Sequence, residues 1–149
     1  MKSNYSHQII VLWIAFLLTL LFHTDLGLMP LFHGQNIAHS RDTQDISWIL
    51  WLMLLFFIPP LLGIILPTFT NSKRYRVSHF WLTVIYSVLN FAHLIADLSV
   101  TPIVWYQIAL MTILFFIGIV LNLVSYRWMT HDRHEKPENR NSEYHGRLS

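Results

Sequence analysis

Four long stretches of this chain carry no Asp, Glu, Lys or Arg: Ser3 to Thr24, Ile46 to Ser72, Val77 to Ala96 and Leu98 to Tyr126. Each reaches the roughly 20 residues that a helix rising ~1.5 Å per residue needs to cross ~30 Å of hydrocarbon. One such stretch fits a buried core helix; four fit a membrane protein. The pattern predicts an all-α fold, a polytopic four-transmembrane-helix bundle over residues 1–126. Its helices fall at about 7–24, 46–66, 78–97 and 103–126, and residues 127–149 form a disordered cytoplasmic tail without apolar period.

Local signals refine these elements. Ser6 and Ser78 stand where a hydroxyl can cap the first and third helices. Pro59 and Pro60 predict a kink or break in the second, since a mid-helix proline loses a hydrogen bond and clashes with the preceding turn. Residues 25–45 read as a polar loop, and residues 67–77 as a short basic loop with Lys73, Arg74 and Arg76. A secretory leader is not expected, because no small-x-small cleavage site follows Phe22, and the first helix is read as retained.

Charge orients the bundle. With the N-terminus inside, the inner segments hold Lys2, Lys73, Arg74, Arg76, Arg127, Arg133, Lys136, Arg140 and Arg147, and the outer loops hold Arg41. The positive-inside rule therefore places both termini in the cytoplasm, in a cell (inner) membrane. Trp48, Trp51, Trp105 and Tyr106 fall at the outer interface and Tyr5, Trp81, Tyr126 and Trp128 at the inner one, where amphipathic rings prefer to sit.

A faint repeat at an offset of 72 residues suggests two tandem helical hairpins: Ser6-His7 matches Ser78-His79, and Asp25-Leu26-x-x-x-Pro30 matches Asp97-Leu98-x-x-x-Pro102. Chance likeness among apolar helices and shared turn chemistry explain it equally well.

Composition adds exclusions. The chain is 54% hydrophobic and 12% charged, about half the charged fraction of a typical globular protein, so a water-facing surface is not available. With no cysteine, thiolate chemistry and disulfides are absent. No Gly-x-Ser-x-Gly, phosphate loop or dinucleotide fingerprint occurs. Nucleic acid is not an expected partner, because topology and anionic lipid account for the basic residues.

Candidate chemistry gathers on the outer side. His93 and Asp97, spaced i, i+4, share a helix face with Tyr86 and Asn90, and Thr19 and His23 make a similar pair on the first helix. Polar stripes in lipid turn to the bundle interior or a cavity, and imidazole with carboxylate suits a divalent transition metal. His23, Asp25, His93 and Asp97 are the metal-ligand candidates, with His33, His39, Asp42 and Asp45 in the adjoining loop. Against this stands a bland alternative, with Asp25 and Asp97 capping turns and the imidazoles in interhelical hydrogen bonds. His23 and His93 as haem ligands, or a quinone near Trp105 and Tyr106, are weaker readings. His7 and His79 read as interfacial residues, and Gly118, Asn122 and Ser125 as a close-packing strip. Beyond Asn122 and Tyr86 no group that could carry a proton path is expected through the inner half of the bundle, which argues against a proton pump.

Three functions remain. The first is an accessory, assembly or anchoring subunit of a larger membrane complex, with a membrane protein or a second copy as partner beside the lipid bilayer. The second is an outward-facing His/Asp metal-binding protein or metal-dependent enzyme, and the third a small-solute or ion carrier.

Overall fold

The computed structural model describes residues 5–34, 47–99, 101 and 103–130, and the protein there is all-helical. Four helices follow in order: α1 Tyr5–Phe32, α2 Ser47–Phe69, α3 Lys73–Leu98 and α4 Trp105–Thr130. Each is long and apolar enough to cross a membrane. The loop residues His39, Asp42 and Asp45, and the tail from residue 131, lie outside the described residues.

The helices alternate in direction. Ser6 donates its hydroxyl to the Pro67 carbonyl at 2.9 Å, joining the start of α1 to the end of α2. Arg76 donates to the Trp128 carbonyl at 3.0 Å, joining the start of α3 to the end of α4. Lys73, Arg74, Arg76 and Arg127 therefore share one end of the bundle, and His23, His93 and Asp97 share the other.

Three boundaries differ from the sequence reading, each for a local reason. α1 does not stop at Thr24. It runs through Asp25 and Pro30 to Phe32 and closes on Gly34, whose φ of +72° suits a residue without Cβ after a helix end. Thr19 and Thr24 keep their hydroxyls satisfied inside this helix by bonding back to Ala15 and Leu20 carbonyls. α3 is capped by Ser72, not Ser78: the Ser72 hydroxyl accepts from the Tyr75 N–H at 3.3 Å, so Lys73, Arg74 and Arg76 occupy the first helical turn. α4 extends to Thr130, carrying Arg127 and Trp128 out of the supposed tail. Nor does α2 break, as it continues through Pro59, Pro60 and Pro67.

Less than a third of each span is buried within the protein. Large apolar side chains such as Leu18, Leu55 and Phe116 point outward, as expected of helices whose solvent is lipid. The centre is aromatic and aliphatic, built from Ile9, Trp13 and Phe16 of α1, Tyr86 of α3, and Met111, Leu114, Leu121 and Trp128 of α4. Trp128 is thus in the core and not in an interfacial belt, whereas Trp48, Trp51, Trp105 and Trp81 are exposed. α4 supplies the small-residue strip. Gly118 lies against the Ser87 hydroxyl, Asn122 donates to that hydroxyl at 2.8 Å, and Ser125 reaches His79. The matched positions of the 72-residue offset have unlike surroundings, since His7 is exposed while His79 is buried.

Candidate functional site

The inward face of α3 is polar along its whole length. Arg76, His79, Thr83, Tyr86, Ser87 and Asn90 are buried, and His93 and Asp97 extend the same i, i+3/i+4 row to the far end. Arg76 and His79 stand at the basic end where the sequence places them, but buried in the bundle and not at its surface.

At the basic end the row is tightly partnered. The Trp13 indole N–H donates to His79 Nε2 at 2.9 Å, and Ser125 Oγ lies 3.3 Å from Nδ1. An indole only donates, so Nε2 must hold a lone pair and the ring proton sits on Nδ1, facing Ser125. Trp13, Tyr75 and Trp128 surround the ring. His79, taken from sequence as an interfacial residue, is a core hydrogen-bonding hub. Its i, i+4 relation to Thr83 and its i+7 relation to Tyr86 were visible in the sequence, and that row was the available signal.

The opposite end holds most of the predicted site. His23 from α1 faces His93 from α3 edge to face, with ring centroids 5.8 Å apart. His93 Nε2 lies 3.7 Å from Asp97 Oδ1. One ligand atom from each of His23, His93 and Asp97 lies within 4.8 Å of the others. His23 Nδ1 and Asp97 Oδ2 are shielded from solvent and have no hydrogen-bond partner. An ion bound at about 2.0–2.2 Å to three such atoms would need them roughly 3–3.5 Å apart, so the side chains would have to draw together by about an ångström.

Asp25 does not join them. Because α1 stays helical past Thr24, Asp25 is turned about 200° from His23, onto the outward surface beside Leu21, Phe22 and Leu28. Thr19 spends its hydroxyl on its own helix, and His33 is exposed with Nδ1 3.0 Å from the Met29 carbonyl.

Beside the imidazoles, a half-open cavity of about 350 Å³ lies between the helices, with the exposed Leu52, Met53 and Leu89 at its edge. His23 of α1, Met53 and Phe56 of α2, Asn90 and His93 of α3 and Met111 of α4 contribute to its wall. Trp105 and Tyr106 do not line it.

In comparisons with known proteins, no family model, no curated protein and no solved structure matches this chain.

Proposed function

We propose that this multi-pass membrane protein binds a divalent transition-metal ion between His23, His93 and Asp97. What carries the reading is the convergence of those three side chains from two helices, with a nitrogen and a carboxylate oxygen left unpartnered in a shielded place. An unsatisfied buried polar atom is costly, and costlier still near lipid. A cation coordinated there satisfies both atoms. Two imidazoles and one carboxylate form a neutral-to-anionic donor set that suits Zn²⁺, Mn²⁺ or Fe²⁺ and leaves coordination positions open for water or a substrate. In this reading the site opens to the outer side of the inner membrane and the basic end faces the cytoplasm.

Elemental analysis of the detergent-purified protein tests the proposal. Native protein is expected to carry close to one ion per chain. His23→Ala, His93→Ala and Asp97→Asn should each lower affinity by at least roughly ten-fold, the scale seen even for groups that only support a metal's ligands. Trace metal that none of the three substitutions changes ends the proposal.

A subunit or anchoring role is compatible with the same scaffold and has its own support in α2. That helix packs chiefly on α1, leaving Trp51, Leu54 and Leu55 outward, a surface on which a larger membrane protein or a second copy can seat. Migration with a partner on native gels after gentle solubilisation supports it. A lone monomer at endogenous expression counts against it.

A further inference from the structure

Asn90 is 4% exposed yet ties no two helices together by a hydrogen bond. Its amide Nδ2 is shielded from solvent and has no acceptor, while its side chain forms part of the wall of the 350 Å³ cavity. The contrast with its neighbours is sharp. Tyr86, one turn away, donates to a carbonyl of α2, and Ser87 accepts from Asn122. Asn90 Nδ2 has no such partner and borders the cavity instead. Away from the two imidazoles the wall is apolar and partly aromatic, with Leu20, Met53, Phe56 and Met111 among its members.

We infer that this cavity binds a membrane-soluble molecule with a flat apolar ring and a carbonyl oxygen, the oxygen accepting a hydrogen bond from Asn90. The volume falls in the range of about 300–1,000 Å³ typical of small-molecule sites, and such sites are mostly apolar with a few placed polar groups. Water can serve the end of the cavity beside His23 and His93, but a buried water needs two to four polar partners, and around Phe56 and Met111 the wall offers Asn90 alone. Around Phe56, Met53 and Met111 a charged group would lose its hydration to an apolar wall. A lipid-soluble ring has a route as well as a fit, since the helices that form the wall stand in lipid. A short-tailed benzoquinone represents the class: its ring can lie against Phe56 and the two methionines while one carbonyl reaches Asn90. The Asn90 hydrogen bond lies outside the three converging residues, although His23 and His93 border both the cavity and the ion site.

The test uses the full chain in zwitterionic nanodiscs, stripped of metal with a chelator and then reloaded with Zn²⁺. The probe is a short-tailed azido-benzoquinone, with labelled peptides mapped by mass spectrometry and decylubiquinone as competitor. Saturable, competed labelling is expected in the stretches 52–57 and 89–93, with and without metal. Asn90→Leu, which keeps the shape and removes the donor, should cut that labelling at least ten-fold. Met53→Trp, at a half-exposed position that tolerates a larger ring, should do the same by filling the cavity. Labelling that does not saturate, that spreads over outward residues such as Leu55 and Phe116, or that survives Asn90→Leu overturns the inference. Metal content measured in the same samples reports separately on the ion site.

Discussion

The Tyr86 hydroxyl donates to the Phe56 carbonyl at 2.6 Å, and Phe56 stands four residues before Pro60, where no N–H is present to serve it. An α-helix normally closes that ring from residue i+4, so the proline leaves an orphan acceptor inside the bundle and the tyrosine of α3 supplies the missing donor. This exchange explains how α2 stays continuous across two prolines while remaining docked. Tyr86→Phe should therefore destabilise by about 1–3 kcal/mol, the cost of an unsatisfied buried polar group. In a Pro60→Ala background the alanine N–H restores the intrahelical bond, and the same substitution should cost much less. Unfolding by denaturing detergent, followed in all four members of the cycle, measures the difference. Equal costs in both backgrounds would show that the hydroxyl is not replacing the proline's lost donor.

Trp13 is held on two sides, by His79 through its N–H and by Gly63 through its ring. A Cβ added at Gly63 would lie 2.5 Å from Trp13 Nε1 and 2.8 Å from Cε2. Trp13 is fully buried, so the indole has little room to retreat, and moving it also stretches the bond to His79. Gly63→Ala should cost about 1–3 kcal/mol from overpacking alone. Gly118→Ala is the milder comparison: its Cβ comes no nearer than 3.0 Å to the Ser87 hydroxyl and 3.9 Å to Phe16, so the loss should be smaller even though Asn122 holds that hydroxyl. The same unfolding assay ranks the two, and a Gly118→Ala protein that is less stable than Gly63→Ala would contradict the packing described here.

The four spans were legible because uncharged length is a coarse signal that survives local error. Boundaries were not, since they depend on which polar residue a helix can absorb. Thr24 and Asp25 looked like a helix end, yet one hydroxyl bonds back to its own helix and the carboxylate lies outward near the end of the bundle. Lys73, Arg74 and Arg76 looked like a loop because they are charged, although a first turn at a membrane surface holds them readily. His23, His93 and Asp97 were found because an i, i+4 pair and a shared membrane face bring residues together whatever the exact bounds. Asp25 was placed with them on the assumption of a loop, and one continued helix is enough to send it to the other side. His79 went unrecognised because its partners, Trp13 and Ser125, come from helices 66 and 46 residues distant, a pairing no local spacing reveals.

That helical displacement makes Asp25 a discriminating control for the ion site. Asp25→Asn should leave metal content and affinity unchanged within about two-fold, because its carboxylate shares no ion with His23. Asp97→Asn keeps the size of the side chain but removes its negative charge and one of its two donor oxygens, and it should lose at least roughly ten-fold in affinity. Calorimetric titration of Zn²⁺ into metal-free protein separates the two. If Asp25→Asn weakens binding as much as Asp97→Asn, the ion lies on the outward surface of α1 and not between α1 and α3.

The basic end makes the sharpest prediction about sidedness. Lys73, Arg74 and Arg127 are exposed at that end, on the first turn of α3 and the last of α4, and the positive-inside rule holds such clusters in the cytoplasm. Reporters fused at the 70–72 connection and after Thr130 should both read cytoplasmic, whereas a reporter in the 35–46 segment should read external. Lys73→Glu with Arg74→Glu reverses two of the four Lys and Arg side chains that the described residues place at that end, and a fraction of chains should then insert reversed. Arg76→Gln should behave differently. Its guanidinium bonds the Trp128 carbonyl within the protein, so its loss should appear as lower stability, with sidedness little changed. Fusions at 70–72 and after Thr130 that read opposite sides would break the alternation of the four helices. His23 and His93 would then no longer meet at one membrane face.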